Sequence, residues 1–371
     1  RGHQVAMKAL PSVKEQRPRL GGVCSKLTAH ILLEVEEVVQ STVGCQGQAA
    51  PSVALILVGA HPAARSYHES TAAAAEAVGV ALRIHQWPDT VSFQELEQCI
   101  VGLSNDDAVH GIVLQLPIPA HLDESKLMGM IANEKDVDGI KDENVKTHLM
   151  RIEPSLAPCI AMTCDEVLRS LGLQPKGLAN AQVIMLGIPQ LLRQPLQLTL
   201  AAAGWRVKPC GDDTAIARAE LQLASVLLIG ERRPDLVAAR WVREGCVILD
   251  LGLSTCDPVQ ITSCDSPTLR SHAAMGVGEQ RGVRCLCCSD GLSAVTAALR
   301  MRNASHCALL QQGFLDCRPL DTLELCKARC EFELDPGPPC GSSLAYDLNP
   351  YGPNSTRTGG STDDTGMTAL A

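Results

Sequence analysis

Val109-His110-Gly111-Ile112-Val113-Leu114-Gln115-Leu116-Pro117-Ile118-Pro119, followed by Lys135-Asp136-Val137-Asp138-Gly139, sets the architecture of this chain. An apolar run of strand length ends in a polar glutamine and two prolines, which stop a hydrogen-bonded ladder. A charged loop with two aspartates comes soon after. A buried parallel strand delivers side chains to a cleft at its carboxyl end in this way. Upstream, Val53–Val58 is a second buried strand closed by Gly59, and His61-Pro62-Ala63 turns into a helix over Ala64–Val78 that Gly79 ends. Leu82–Gln86 reads as a short strand, and Ser92 with Glu95 makes a capping box for a helix to about Leu103. The order βαβαβ predicts a parallel sheet covered by helices. An amphipathic helix precedes it, with Leu27, Ile31, Leu32, Val35 and Val38 on one face and Glu34, Glu36 and Glu37 on the other.

Downstream, residues 154–158 read as a linker, and Thr163 with Glu166 as the opening of a helix to Leu171 that Gly172 caps. Gln182–Leu186 is a strand running into Gly187, with a helix expected from about Pro195 to Ala203. Arg206–Lys208, Ala224–Ile229 and Cys246–Leu251 are further strand candidates, and Ser293–Leu310 a final helix. The fold class is therefore α/β: an N-terminal αβ domain with a parallel sheet, a Rossmann-type nucleotide-binding domain, and a cleft between them. The expected division is a leader over 1–23, a first domain over 24–157 completed by the helix at 293–312, a Rossmann-type domain over 158–292, and a disordered tail over 316–371. The tail is expected from Pro336-Gly337-Pro338-Pro339 and Gly359-Gly360-Ser361, turn signals without periodicity.

Composition narrows the function. With 46% hydrophobic and 20% charged residues the chain is globular, and 2% aromatics leave an aliphatic core. A net charge of −9 with no dense basic cluster excludes nucleic acid and anionic membrane as expected partners. The 17 cysteines are odd in number and lack repeated Cys-x-x-Cys pairs, which fits a reducing compartment better than a disulfide framework. Cys285-x-Cys287-Cys288 lacks the second ligand pair of a structural zinc site, so no metal is expected. Residues 1–20 are basic without an apolar signal core, read either as the remnant of a mitochondrial transit peptide or as a disordered arm.

Tyr67 and Thr71 lie four residues apart on one helix face, completing a constellation with Gln115 and Asp138. Taken with Ile56-Leu57-Val58-Gly59, Pro62-Ala63, Ser66-Tyr67, Gln115-Leu116-Pro117-Ile118-Pro119-x-His121-x-Asp123, Lys135-Asp136-Val137-Asp138-Gly139 and Trp241 to Gly252, the chain resembles the bifunctional methylenetetrahydrofolate dehydrogenase/methenyltetrahydrofolate cyclohydrolase family from about Leu27 to Ala304. The resemblance implies a tetrahydrofolate derivative as substrate-type ligand, NADP or NAD as cofactor, and a homodimer. It implies catalytic roles for Tyr67, Gln115 and Asp138, with Leu116 and Pro117 also at the substrate. Asp138 would bind the pterin, and Gln115 would hold a lysine that handles protons and polarises the one-carbon bridge.

The lysine position is Thr71. A threonine hydroxyl has no useful basicity near neutral pH and no charge, and losing such a group commonly reduces rate by ~10²–10⁴. Where the family carries Gly-Arg-Ser-x-x-Val-Gly-x-Pro, this chain reads Gly187-Ile188-Pro189-Gln190-Leu191-Leu192-Arg193-Gln194-Pro195. Gly187, Arg193 and Pro195 are left as the cofactor-binding candidates, while Ile188 offers phosphate nothing and Pro189 removes an N–H. Pro158-Cys159-Ile160-Ala161 and Ser289 to Thr296 depart from the family as well. The expectation is a family member with impaired or absent catalysis. The alternatives are an active enzyme with shifted catalytic groups, or a truncated N-terminal domain of a mitochondrial monofunctional formyltetrahydrofolate synthetase, which it also resembles at Ala297 to Asn303, serving as a dimerisation module. The compartment expected is the mitochondrial matrix, with the cytosol as alternative.

Overall fold

The computed structural model describes residues 22–311 except 41–42, 44–48, 153–154, 177, 179–180, 211–218, 233–236, 238–240, 256–283 and 288–290. The tail expected from the sequence and residues 1–21 of the expected leader lie outside these residues, while Val23, placed in the leader by the sequence, opens the first helix.

The first αβ lobe is built from helix α1 (Val23–Gln40), strand β1 (Ser52–Val58), α2 (Pro62–Val78), β2 (Ala81–Trp87), α3 (Phe93–Ser104), β3 (Gly111–Leu114), α4 (Glu124–Met130) and α5 (Asp142–Met150). Its sheet is parallel in the order β2-β1-β3, with Val53 opposite Leu82 on one side and Gly111 on the other. β1 is buried along its whole length, as its unbroken apolar run requires of a central parallel strand. The capping box at Ser92 forms as expected, the Ser92 hydroxyl accepting from the Glu95 amide and the Glu95 carboxylate accepting from the Ser92 amide. β3 stops at Leu114, two residues before the expected end, yet the Gln115 amide still donates to the Ile56 carbonyl at 3.0 Å. Because β1 connects to β2 on one side while β3 pairs with it on the other, a crevice opens at the carboxyl ends of β1 and β3. Gln115 stands in it.

The second lobe comprises α6 (Cys159–Ser170), β4 (Gln182–Leu186), α7 (Gln190–Ala202), β5 (Arg206–Cys210), β6 (Val226–Arg232), β7 (Val247–Thr255) and β8 (Arg284–Cys287). All pairings are parallel, in the order β5-β4-β6-β7-β8. This is the doubly wound, Rossmann-type arrangement read from the sequence.

Two helix starts differ from the expectation. α6 begins at Cys159 behind Pro158, and Thr163 is an interior residue whose hydroxyl donates back to the Cys159 carbonyl at 2.9 Å. A buried backbone-bonded threonine thus imitated a cap in the sequence. α7 begins at Gln190, so Pro195 lies inside the helix and not at its first turn. The sequence reading also passed over α4, capped by the Asp123 side chain, and α5, whose mixed polar composition hides its period.

The last helix, α8 (Leu292–Gln311), packs against α1, α2 and α6 and is buried all round from Leu292 to Ala308. Residues 155–158 are buried against it and do not form an exposed tether. Asn303 of α8 holds them: its Nδ2 donates to the carbonyls of Val137 (2.9 Å) and Ala157 (2.8 Å), and its Oδ1 accepts from the Ala157 amide (3.3 Å).

Candidate functional site

The crevice at the end of β3 receives side chains from four directions. Tyr67 and Thr71 come from α2, Gln115 from the end of β3, Asp138 from the loop after the 3₁₀ turn Asn133–Lys135, and Arg300 from the middle of α8. All are buried. Thr71 is fully buried, and its hydroxyl donates to the Tyr67 carbonyl at 2.8 Å.

Arg300 organises the site. Its Nε donates to Asp138 Oδ1 at 2.6 Å and its Nη2 to Asp138 Oδ2 at 3.3 Å, a bidentate charge-assisted pair. Its Nη1 donates to Thr71 Oγ1 at 2.9 Å and to Gln115 Oε1 at 3.1 Å. Four of the five guanidinium N–H groups therefore have partners within the site. Burial pulls the guanidinium pKa down, but the charge and hydrogen bonds of Asp138 outweigh it, and Arg300 is held more firmly protonated than a free arginine. Gln115 is fixed from its other end, its Nε2 donating to the Leu116 carbonyl at 2.9 Å.

The candidates from the sequence are thus brought together, with qualifications. Gln115 and Asp138 meet through Arg300. Tyr67 borders the same space, but its hydroxyl donates to the Leu251 carbonyl of β7 at 2.7 Å, tying the first lobe to the second. Leu116 lines the cleft, whereas Pro117, after a cis peptide bond, does not. Space of about 30 Å³ remains among Tyr67, Leu116, Ile140, Leu192, Leu253 and Arg300, room for a water molecule and little more.

The two lysines of the Asp-rich segment are engaged elsewhere. Lys135 Nζ donates to the carbonyls of Asp106 (2.8 Å) and Leu103 (3.3 Å), capping the end of α3. Lys141 Nζ donates to the Gly129 and Ile131 carbonyls. Asp136 is fully buried and accepts from the amides of Gly139 (3.1 Å) and Lys141 (2.9 Å) and from Asn144 Nδ2 (3.0 Å). Burial pushes its carboxyl up to about 6 against those hydrogen bonds, and the neighbouring Asp138 charge adds to the rise. Asp136 is the frame of the loop that presents Asp138. Gly139 continues that frame, for at φ 64 a Cβ would run into the Ala157 carbonyl.

Arg300 is the residue that sequence reasoning missed. Its signal was a polar stripe at i, i+4 and i+7, namely Thr296, Arg300 and Asn303, on a helix that also carries Val295, Ala298, Leu299 and Leu309 at helical spacing. A buried arginine in such a helix must find a carboxylate. Thr296 completes the stripe, its hydroxyl sharing a 2.9 Å hydrogen bond with Thr163.

Two family models match this chain. The catalytic domain of tetrahydrofolate dehydrogenase/cyclohydrolase matches residues 23–138, and the NAD(P)-binding domain of the same enzymes matches residues 158–276. The bifunctional protein FolD of Magnetococcus marinus is 33% identical over 223 residues, 58% of this chain and 77% of that one.

The chain belongs to the tetrahydrofolate dehydrogenase/cyclohydrolase family.

FolD of Moorella thermoacetica is likewise 33% identical over 229 residues, 62% of this chain and 80% of that protein. Among solved structures, the FolD enzyme of Campylobacter jejuni superposes with a TM-score of 0.62 at 25% identity, covering 77% of this chain and 97% of that one. The Trypanosoma brucei dehydrogenase-cyclohydrolase, crystallised with NADP and an inhibitor, shares the fold with a TM-score of 0.64 at 22% identity, over 78% and 96% of the two chains.

The described residues of the second lobe do not fit the phosphates of the dinucleotide that this family domain is named for. Ile188 is buried and packs over Gly230, where a Cβ would lie 2.9 Å from the Ile188 Cα. Pro189 precedes α7 without a side-chain cap or an N–H. Arg193 folds back on the turn, its Nε donating to the Ile188 carbonyl (2.8 Å) and its Nη1 to Gln190 Oε1 (3.1 Å). Glu231 is pressed against Gly187 and adds a carboxylate where phosphate would need positive potential. Pro195 is buried in α7. Of the three cofactor candidates, Gly187 shapes the turn, Arg193 braces it and Pro195 packs the helix.

Proposed function

We propose that this chain keeps the tetrahydrofolate dehydrogenase/cyclohydrolase scaffold without running its reactions at ordinary rates, and serves as a binding or assembly module. One observation carries this reading: among the described residues, the only cation touching Thr71, Gln115 and Asp138 is the guanidinium of Arg300. An arginine cannot give up a proton in the neutral range. It can hold charge in the cleft, but it cannot act as the general acid–base group the family resemblance assigns to a lysine there. The described residues lining the space around Arg300 include no lysine and no histidine, the histidines His61 and His68 lining instead the adjoining cavity of about 310 Å³ that shares Gln115, and the Tyr67 hydroxyl is engaged by the Leu251 carbonyl. The poor fit of the Gly187 turn to phosphate supports the same conclusion for the cofactor, whether NADP or NAD. A homodimer, implied by the resemblance, is the assembly this role requires.

The test is turnover of 5,10-methylenetetrahydrofolate by the purified chain with NADP or NAD, alongside hydrolysis of 5,10-methenyltetrahydrofolate. Rates within about tenfold of a FolD enzyme would overturn the reading, since loss of a general acid–base group alone removes ~10²–10⁴.

A further inference from the structure

The fork between Arg300 and Asp138 has the shape of a ligand contact. A guanidinium presents two N–H groups on neighbouring nitrogens of one planar N–C–N unit. A 2-aminopyrimidin-4-one ring presents the same planar unit through its ring N–H and exocyclic amine, and a carboxylate accepts both donors side by side. Here the Nε–H and Nη2–H of Arg300 take the two oxygens of Asp138 at 2.6 and 3.3 Å. The third nitrogen turns to Gln115 Oε1 and Thr71 Oγ1, so that the acceptors at this end of the cleft are engaged together.

We propose that Arg300 is an internal stand-in for the pterin edge of a folate, its planar donor pair occupying the carboxylate of Asp138 to which the family resemblance assigns the pterin. The inference rests on the reading proposed above, of a family scaffold without its chemistry, and on the pterin contact that the family resemblance assigns to Asp138. It adds the reason the cleft is closed. The barrier to a folate is a competing ligand carried on α8.

Packing supports the assignment. The guanidinium is buried, reached from a helix enclosed on every side, and the space left beside it is about 30 Å³. The guanidinium takes the place against Asp138 that a bicyclic ring would need, although a cavity of about 310 Å³ adjoins at Gln115. Asp138 is bound within its own chain, so an incoming pterin would have to displace a buried ion pair and leave Arg300 uncompensated. An exposed ion pair over an open cleft would present no such obstacle.

The test is calorimetric titration of the wild-type chain and of Arg300→Ala with 5-formyltetrahydrofolate, with and without methylguanidinium. The variant should bind at least about tenfold more tightly than the wild type, the scale set by freeing one charge-assisted contact. Methylguanidinium should compete with the folate in the variant, and methylammonium at the same concentration should not. Adding Asp138→Asn should abolish the gain. Equal affinity in wild type and variant, or a gain indifferent to methylguanidinium, overturns the proposal. Should Arg300→Ala fail to fold, Arg300→Lys keeps a cation for Asp138 but lacks the planar fork. It should still bind the folate several-fold more tightly than wild type, and no gain there overturns the proposal equally. Tight binding by the wild type without turnover would remove this inference and leave the loss of chemistry standing; turnover would remove the latter.

Discussion

Arg300 Nη1 lies 2.9 Å from Thr71 Oγ1, joining residues 229 positions apart at the place where the family resemblance puts a lysine. The site thus holds a cation supplied by α8, where the resemblance would have it come from α2. The position on α2 has become a small hydroxyl residue that leaves room for it and accepts a hydrogen bond from it.

Restoring the lysine alone should therefore fail. In Thr71→Lys an ammonium would face the Arg300 guanidinium in a buried pocket with one carboxylate between them. Leaving one buried charge uncompensated costs about 3–5 kcal/mol, so the single variant should lose stability on that scale in urea unfolding. Thr71→Lys with Arg300→Leu should recover most of the loss, because the new ammonium then has Asp138 and Gln115 to itself. Additive effects of the two substitutions in a double-mutant cycle would show that the residues do not share the pocket.

The nucleotide turn should resist simple reversion for a similar reason. Ile188 is 2% exposed, and replacing it with arginine exchanges a packed side chain for a charge without a local carboxylate other than Glu231. Ile188→Arg with Pro189→Ser should destabilise the chain by about 2 kcal/mol or more and still show no saturable NADP binding, because Arg193 and Glu231 remain over the turn. Micromolar NADP affinity in that variant would show that Ile188 and Pro189 alone had closed the site.

Asn303 should matter as much to stability as any apolar core residue. It satisfies two carbonyls and one amide of the segments around Val137 and Ala157, and no water can reach them in its absence. Asn303→Leu, similar in volume, should cost about 3 kcal/mol from the orphaned backbone groups. Denaturant melts should show this as a lower midpoint with an unchanged slope. A loss below about 0.5 kcal/mol would mean that the loop finds other partners.

Much of this molecule was legible in its sequence because the signals were local. The apolar runs at Val53–Val58 and Gly111–Leu116 read as buried strands, and Ser92 with Glu95 could be read as a cap without knowing anything distant. Gln115 and Asp138 could be read as neighbours in one crevice because one sits at a strand end and the other in a short loop. What escaped was everything set by contact across the chain. Thr163 looks like a helix cap until α8 supplies Thr296. Pro195 looks like a first-turn proline until α7 is seen to start at Gln190. The threonine at the position where the resemblance puts a lysine could be seen from sequence, but not the guanidinium beside it, since Arg300 is one of several polar residues on α8 and nothing local says which of them reaches Asp138. Lys135 and Lys141 were equally ambiguous, for whether a lysine serves a site or caps a helix depends on which carbonyls stand beside it.

Acid should act on this protein through two buried groups of opposite sign. His306 is buried in α8, and its Nε2 has no hydrogen-bond partner among the described residues. Burial, with Arg302 beside it, lowers its pKa from the ordinary 6.5 to about 4. The unfolded chain therefore takes up this proton first, and stability is lost as pH falls from 6.5 toward 4. Asp136 runs the other way. With a folded pKa of about 6 against an ordinary 3.8, it contributes stability that is full below the lower value and lost as pH rises through 6. At about 1.4 kcal/mol per pH unit each group carries about 3 kcal/mol, and between pH 4 and 6 the two contributions offset one another. His306→Leu removes one of them. At pH 7, where the histidine is neutral and buried, the substitution should change stability little, and the gap between variant and wild type should widen in favour of the variant by up to about 3 kcal/mol on acidification to pH 4. Urea unfolding across that range measures it. A difference between the two proteins that stays flat with pH would show that His306 does not titrate as its surroundings require.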